Sequence, residues 1–229
     1  LSTITPEQTI EVRKVHLLLA MYNALQPGVF ALSGWDLCGM LTLDRSQVAP
    51  LLSRGDTRWI NRGAHDLMGV NHTGQAPTSG MPKAVSLYGT LPDQLADESS
   101  FARQLAKILA VREQYGIAKS ALLDVPDVSH RGMLVMVHQL ESGDCEVTVL
   151  NFSDQEMAGT VRSEQLETGA LVTDLFSGEE VGSVDDLHSF YIQLEPYQGT
   201  ALLVTLPEEE EPAAEAEAGT DRDAGTAAG

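Results

Sequence analysis

The sequence predicts an α/β segment followed by an all-β segment and an acidic tail. Three observations carry that prediction. Two strongly signalled helices flank an apolar run and a long polar loop in the first half. After Pro126 the helical periodicity gives way to short, evenly spaced β-type runs. From Pro207 onward no large apolar residue remains. Residues 1–125 are therefore expected to form the α/β part, 126–206 an antiparallel β-sandwich, and 207–229 a disordered tail.

The first helix has a full set of start signals. Thr5 serves as N-cap, Pro6 takes the first helical position and Gln8 completes a capping box. Val15, Leu18, Leu19, Tyr22 and Leu25 recur at helical spacing, and Pro27–Gly28 end the pattern. Val29–Leu32 is a continuous apolar run, expected to be a strand buried on both faces of a parallel sheet. Trp35 to about Glu98 is dense in Gly, Pro, Asn and Asp and predicts mostly loop, with one short helix near Ser46–Leu52. Loops of that length are usually functional. A second helix is predicted from about Ser100 to Tyr115, with Phe101, Leu105, Ile108, Leu109 and Arg112 on its inner stripe and Gly116 at C′.

The β part is expected to contain strands at Met133–Gln139, Cys145–Phe152, Gly159–Ser163, Ala170–Asp174, Phe190–Leu194 and Thr200–Leu206. Turn signals such as Ser142–Gly143–Asp144 and Ser177–Gly178 separate them. Cys145, Val147 and Val149 alternate with Glu146, Thr148 and Leu150, the period of a half-buried strand.

A net charge of −19, from 33 acidic and 14 basic residues, leaves no basic patch for phosphates. Nucleic-acid and anionic-membrane partners are not expected. Much of the acid lies in the tail, at Glu208–Glu211, Glu215, Glu217, Asp221 and Asp223. Cys38 and Cys145 are far apart, which predicts no disulfide framework and a cytoplasmic setting. The chain opens on Leu1 rather than Met, as a processed or partial chain does, and shows no signal peptide. The apolar run Leu17–Leu25 is too short to span a membrane. His65 and His72 fit no common zinc spacing. No nucleophile elbow and no phosphate loop is present, so neither metal nor cofactor is expected.

The stretches GVFALSGWDL (28–37) and GDTRWINRGAHDL (55–67), set before an antiparallel β-rich end, resemble the C-terminal part of glycoside hydrolase family 13, the α-amylase family. The resemblance implies the end of a (β/α)8 TIM barrel followed by a C-terminal antiparallel β-sandwich. Thr5–Gln26 would be the seventh barrel helix, Gly28–Leu32 the eighth strand, Phe101–Tyr115 the eighth helix and Gly132–Leu206 the sandwich. The family's Gly-Asp-Glu-like turn is replaced here by Gly34–Trp35–Asp36. Within the family the two stretches most resemble the trehalose synthases, or maltose α-D-glucosyltransferases, which convert maltose to trehalose. The resemblance further implies that the three catalytic carboxylates lie upstream of Leu1. The chain would then hold no catalytic residue and be inactive alone, with the upstream remainder of the barrel as its partner. Another family member, an α-glucosidase or glucanotransferase, and a non-catalytic carbohydrate-binding or scaffold segment are the alternatives.

Trp59 with Asp56, Arg58, Asn61 and Arg62 forms the best candidate substrate-binding cluster. An aromatic platform beside planar hydrogen-bonding groups suits the apolar faces and hydroxyl rims of maltose, trehalose or related α-glucosides. The competing reading is a loop held by its own Asp–Arg pairs with Trp59 as anchor. Trp35 and Asp36 join the candidate set through the resemblance, which places them at the catalytic face. Asp36, Asp56 and Asp66 show no spacing that fixes the carboxylate pair of a glycosidase. Phe152, Phe176, Phe190, Tyr191 and Tyr197 are a second possible sugar platform, with core packing as the simpler reading.

Overall fold

The N-terminal helix, α1 (Pro6–Ala24), starts where its capping sequence dictates. The Thr5 hydroxyl accepts from the Gln8 amide at 3.2 Å, and the Gln8 side chain accepts from the Thr5 amide at 3.0 Å. The computed structural model describes residues 4–53, 55–71, 80–128 and 130–206; His72 and the acidic tail from Pro207 lie outside them. The buried face of α1 is Leu18, Ala20, Met21 and Ala24, followed by Leu25. Leu19, expected on the inner stripe, is exposed. The face is rotated because α1 is covered from two sides, by a second long helix and by a β-sheet.

Short helical pieces punctuate the long loop. They are α2 (Gly34–Leu37), a 3₁₀ turn at Arg45–Val48 running into α3 (Ala49–Leu52), a 3₁₀ turn at Thr57–Asn61, and α4 (Leu91–Leu95). The second long helix, α5 (Phe101–Gln114), is capped by Ser100, whose hydroxyl accepts from the Arg103 amide at 3.2 Å. Gly116 closes it at φ +63°, a left-handed conformation that glycine adopts without strain.

Arg112 sits among apolar neighbours on the inner stripe of α5 for a reason the sequence does not display. Its guanidinium donates to the carbonyl oxygens of Ala24, Gln26 (2.6 Å) and Gly28. These are carbonyls at and just past the C-terminus of α1, where no intrahelical donor remains. A cation there also meets the negative end of the helix dipole. The clamp is buried, and loss of water pulls the Arg112 pKa down.

Six antiparallel strands form the main sheet: β1 (Ala121–Asp124), β2 (Met133–Gln139), β3 (Cys145–Asn151), β5 (Leu171–Asp174), β6 (Glu180–Ser183) and β8 (Gly199–Thr205). Their spatial order is β1-β2-β3-β8-β5-β6. A smaller antiparallel pair, β4 (Met157–Arg162) with β7 (Ser189–Leu194), contributes to the core on one face of that sheet. Val135, Val137, Val147, Val149, Leu202 and Val204 form that core with Val161, Phe190, Ile192 and Leu194. On the other face, Met136, Leu150 and Ala201 meet Leu18, Met21, Leu25 and Ile108 of the helical layer. Gly199 permits this approach: a Cβ there would fall 2.5 Å from Leu150 Cδ2 and 2.6 Å from Met21 Sδ.

Two expectations are corrected. Residues 29–32 form neither helix nor strand, and Val29 is 97% exposed. An apolar run becomes a buried strand only where other strands supply its ladder, and no described strand pairs with this one. Phe30 and Leu32 instead tuck against the helical clusters. The second correction concerns β3, which is buried on both faces rather than half-buried. Glu146 and Thr148 point toward the helical side and are fully buried. They form a network with the cross-strand neighbour His138: Glu146 Oε2 lies 2.8 Å from His138 Nδ1, and the Thr148 hydroxyl donates to Glu146 Oε1 at 2.6 Å. Burial pushes the Glu146 carboxyl pKa up. Strands β1 and β6, absent from the sequence reading, are edge strands of the main sheet with little apolar alternation.

Replacing Arg112 with Met removes a charged clamp from buried carbonyls. The expected loss is about 3 kcal/mol of unfolding free energy, read by urea titration. The raised Glu146 pKa gives a signed pH effect. Its stabilising share is present below the ordinary value of 4.5 and is lost as pH rises through the folded-state value. Glu146→Gln is therefore expected to gain on the parent as pH is raised from acid to neutral. Unfolding midpoints across that range check this, and a pH-independent difference contradicts it.

Candidate functional site

The path from α1 into α2 builds a polar pocket in the N-terminal half. Ser33 caps α2, and Asp36 answers it: the Ser33 amide and hydroxyl donate to Asp36 Oδ2 at 3.1 and 2.6 Å. That leaves Asp36 Oδ1 facing α1, where His16 Nε2 lies 3.6 Å away. The other ring nitrogen of His16 is 3.0 Å from the Tyr88 hydroxyl. The imidazole stacks on Phe101 at 4.5 Å between centroids, and Phe101 stacks on Tyr88 at 5.1 Å.

The backbone fixes this arrangement. Gly39, at φ +60°, lets the Tyr88 ring lie directly on it; a Cβ there would come within 2.8 Å of the ring. The Tyr88 amide donates to the Cys38 carbonyl at 3.1 Å. Buried Gln94 donates to the Leu37 carbonyl at 2.7 Å and accepts from the Ala102 amide at 3.1 Å, which ties α2 to the start of α5.

The result is a pocket of about 240 Å³ whose polar lining includes His16, Ser33, Asp36, Asn61 and Tyr88, with Trp35 at its wall. Trp35 is half exposed and lies edge-on to His65 at 6.4 Å. Burial lowers the His16 pKa and outweighs the attraction of Asp36. Burial also pushes the Tyr88 phenol up to about 12. The pocket therefore offers an imidazole, a phenol, a hydroxyl, an amide and a carboxyl group. Such a set of donors and acceptors suits hydroxyl groups. Glycosidic bond cleavage normally uses two carboxyl groups, and among the described residues Asp36 is the one acidic side chain that lines this pocket.

The predicted site residues thus divide. Trp35, Asp36 and Asn61 come together in the pocket. Asp56, Arg58, Trp59 and Arg62 form a separate, internally satisfied loop. Asp56 caps the 3₁₀ turn and takes a two-pronged contact from Arg58, at 2.8 and 2.9 Å. These bonds bring the Asp56 pKa down to about 2. Trp59 anchors the loop on Leu43, Val48, Met81 and Ala84, and Arg62 lies over its ring at 4.9 Å. Asp66 is occupied in a turn, accepting from the amides of Val70 and Asn71. His16 and Tyr88 were missed by the sequence reading. They lie 72 residues apart, and their one sequence signal is a histidine within the apolar part of a helix. Among the described residues no group of three or more His, Cys, Asp or Glu could hold a metal ion, and no helix is long and apolar enough to cross a membrane.

No family model and no curated protein sequence matches the chain. Solved structures do. The trehalulose synthase MutB from Pseudomonas mesoacidophila MX-45 aligns at a TM-score of 0.60 and 14% identity, over 84% of this chain and 38% of that one. The isomaltulose synthase SmuA from Protaminobacter rubrum aligns at 0.60 and 15%, over the same shares. AmyP, solved in complex with maltose, aligns at 0.57 and 13%, over 90% of this chain and 37% of that one. At these identities the likeness is one of fold. The chain spans well under half the length of the structures it resembles.

The His16 environment makes a direct prediction. Burial disfavours the imidazolium, so its NMR titration midpoint is expected below the ordinary 6.5, and Asp36→Asn is expected to lower it further. By linkage, the stability His16 contributes is present above 6.5 and lost as pH falls through the lowered midpoint. A midpoint at or above 6.5 in the parent contradicts the placement of His16 against Phe101.

Proposed function

We propose that the chain is the C-terminal part of an α-amylase-family enzyme that transfers a glucosyl unit between α-glucosides. The narrower reading is a trehalose synthase converting maltose to trehalose. The observation that carries the proposal is the fold shared, over 84–90% of the chain, with trehalulose and isomaltulose synthases and with AmyP. The GVFALSGWDL and GDTRWINRGAHDL stretches support the narrower reading.

On this reading the reaction is a double displacement. A carboxylate attacks the anomeric carbon of maltose and the leaving glucose oxygen takes a proton from an acid. Glucose then turns and attacks the glucosyl-enzyme through its own anomeric hydroxyl, which gives its proton to the conjugate base of that acid as the bond to the carboxylate breaks. Asp36 Oδ2 is committed to Ser33, and among the described residues no second carboxylate lines the pocket. The bond-breaking groups are therefore assigned to the preceding part of the enzyme. Residues of this chain bind and enclose: Trp35 offers an apolar face, and Asn61, Tyr88 and Asp36 address hydroxyls. Keeping glucose in and water out favours isomerisation over hydrolysis. The second reading is an α-glucosidase or glucanotransferase of the same family, and the maltose bound in the AmyP structure is a ligand that both readings share.

Incubating the longer enzyme that carries this chain with maltose is expected to give mainly trehalose, while the 229-residue chain alone gives no product. In the longer enzyme, Trp35→Ala is expected to raise KM for maltose about tenfold and to increase the glucose fraction, since loss of an aromatic contact is worth about 1 kcal/mol or more. Glucose or longer maltooligosaccharides as main products would select the second reading. Absence of any turnover would leave a non-catalytic carbohydrate-binding role.

A further inference from the structure

His16 reaches the Asp36 pocket from α1, while the other polar groups of the pocket come from the loop that follows. Its two ring nitrogens meet different partners there. Nδ1 lies 3.0 Å from the Tyr88 hydroxyl, a hydrogen-bond distance. Nε2 lies 3.6 Å from Asp36 Oδ1, a contact of charge and dipole rather than a hydrogen bond. The ring is held in this orientation by its stack on the fully buried Phe101, at 4.5 Å and 25°.

These partners assign the ring proton. A neutral imidazole has one N–H and one acceptor nitrogen, and burial favours the neutral form of His16. Asp36 accepts from the Ser33 amide and hydroxyl at Oδ2, so the group that faces Nε2 is an acceptor. A proton on Nε2 is attracted to it, whereas a lone pair there is repelled. Nδ1 is then the acceptor nitrogen. Its donor is the Tyr88 phenol, which burial pushes up to about 12 and so keeps protonated. The titratable and charged groups around the ring are Asp36 from α2, Tyr88 from the loop before α4, and Glu11 and Arg13 of α1 itself; α5 offers the Phe101 ring. With the Tyr88 and Ser33 hydroxyl protons spent in this way, Tyr88 and Asp36 turn lone pairs to the pocket.

We infer that His16 is a positioning residue, with its proton on Nε2 facing Asp36 and its Nδ1 accepting from Tyr88, so that Asp36 and Tyr88 both meet a ligand as acceptors. The pocket then selects a group that brings its own proton, such as a free hydroxyl, over an ether oxygen or a deoxy carbon in the same place. That this group is a hydroxyl of an α-glucoside rests on the proposed function; the direction of the bonds rests on the geometry of this chain. As pH falls through the His16 midpoint, Nδ1 gains a proton and donates to Tyr88, and the phenol proton turns to the pocket.

The tautomer is read from long-range proton–nitrogen NMR spectra of the nitrogen-15-labelled 229-residue chain, recorded above the His16 midpoint, with His16 assigned by its absence in His16→Asn. The expected spectrum shows a protonated Nε2 and an unprotonated Nδ1, with the Nδ1 signal shifted in Tyr88→Phe by loss of its donor. A protonated Nδ1, an even mixture of the two forms, or an Nδ1 signal indifferent to Tyr88→Phe overturns the inference. In the longer enzyme, KM for maltose is expected to rise as pH falls through the same midpoint. His16→Leu is expected to raise KM about tenfold. His16→Asn, whose amide oxygen can accept from Tyr88, is expected to restore it in part and to lack the pH-dependent rise. Equal KM values in the two variants, or a rise that persists in His16→Asn, overturn the inference. If the longer enzyme turns over no maltose, the proposed function fails, and the tautomer spectrum decides the inference on its own.

Discussion

The structure depends on one charge placed where water is excluded. Arg112 gathers the carbonyls of Ala24, Gln26 and Gly28, the backbone with which α1 ends. Without a donor those oxygens would oppose burial of the helix end. With the clamp in place, α1 can end beneath α5 and the chain can turn. The Gly28 amide is held in the same turn by the Ala118 carbonyl at 2.8 Å. The direction in which residues 29–33 leave is thereby set, and α2 and its pocket follow from it.

The helical layer and the sheet constrain each other through close contact. Gly199 removes the one Cβ that would keep β8 away from α1, and Leu150, Met21 and Leu18 close over it. The main sheet is then covered on both faces, which accounts for Glu146, Thr148 and His138 meeting in a dry environment. A polar strand face buried under helices has to satisfy itself; here Glu146 is met by His138 across the ladder and by Thr148 along its own strand, while the His138 Nε2 atom is buried without a hydrogen-bond partner. The exposed side of α1 shows the opposite condition. Ile10, Val12 and Leu19 face outward, and Val29 is exposed beyond the helix end.

The Asp36 pocket and the Trp59 loop are built by different means. In the Asp36 pocket the polar groups are organised by caps and by aromatic stacking, so His16 is positioned by Phe101 and Tyr88 as much as by Asp36. Side chains held in this way lose less entropy when a partner group meets them. The Trp59 loop uses similar residue types to a different end. Its carboxylate, guanidinium groups and indole are spent on one another, so residue type alone did not distinguish it from the pocket.

Local signals decided what the sequence could decide. The Thr5 and Ser100 caps, the left-handed Gly116 and the apolar run Met133–Gln139 bounded by turn residues are features within a few residues, and each is legible in isolation. Tertiary structure decided the rest, because it depends on which distant groups meet. Residues 29–32 carry a strand's composition but have no described strand beside them. Glu146 carries a surface residue's identity but lies beneath helices. Arg112 looks misplaced on an apolar stripe until α1 ends against it. His16 and Tyr88, 72 residues apart, become neighbours only after α1 has docked. Capping and periodicity are short-range, whereas burial and polar satisfaction are properties of the assembled layers.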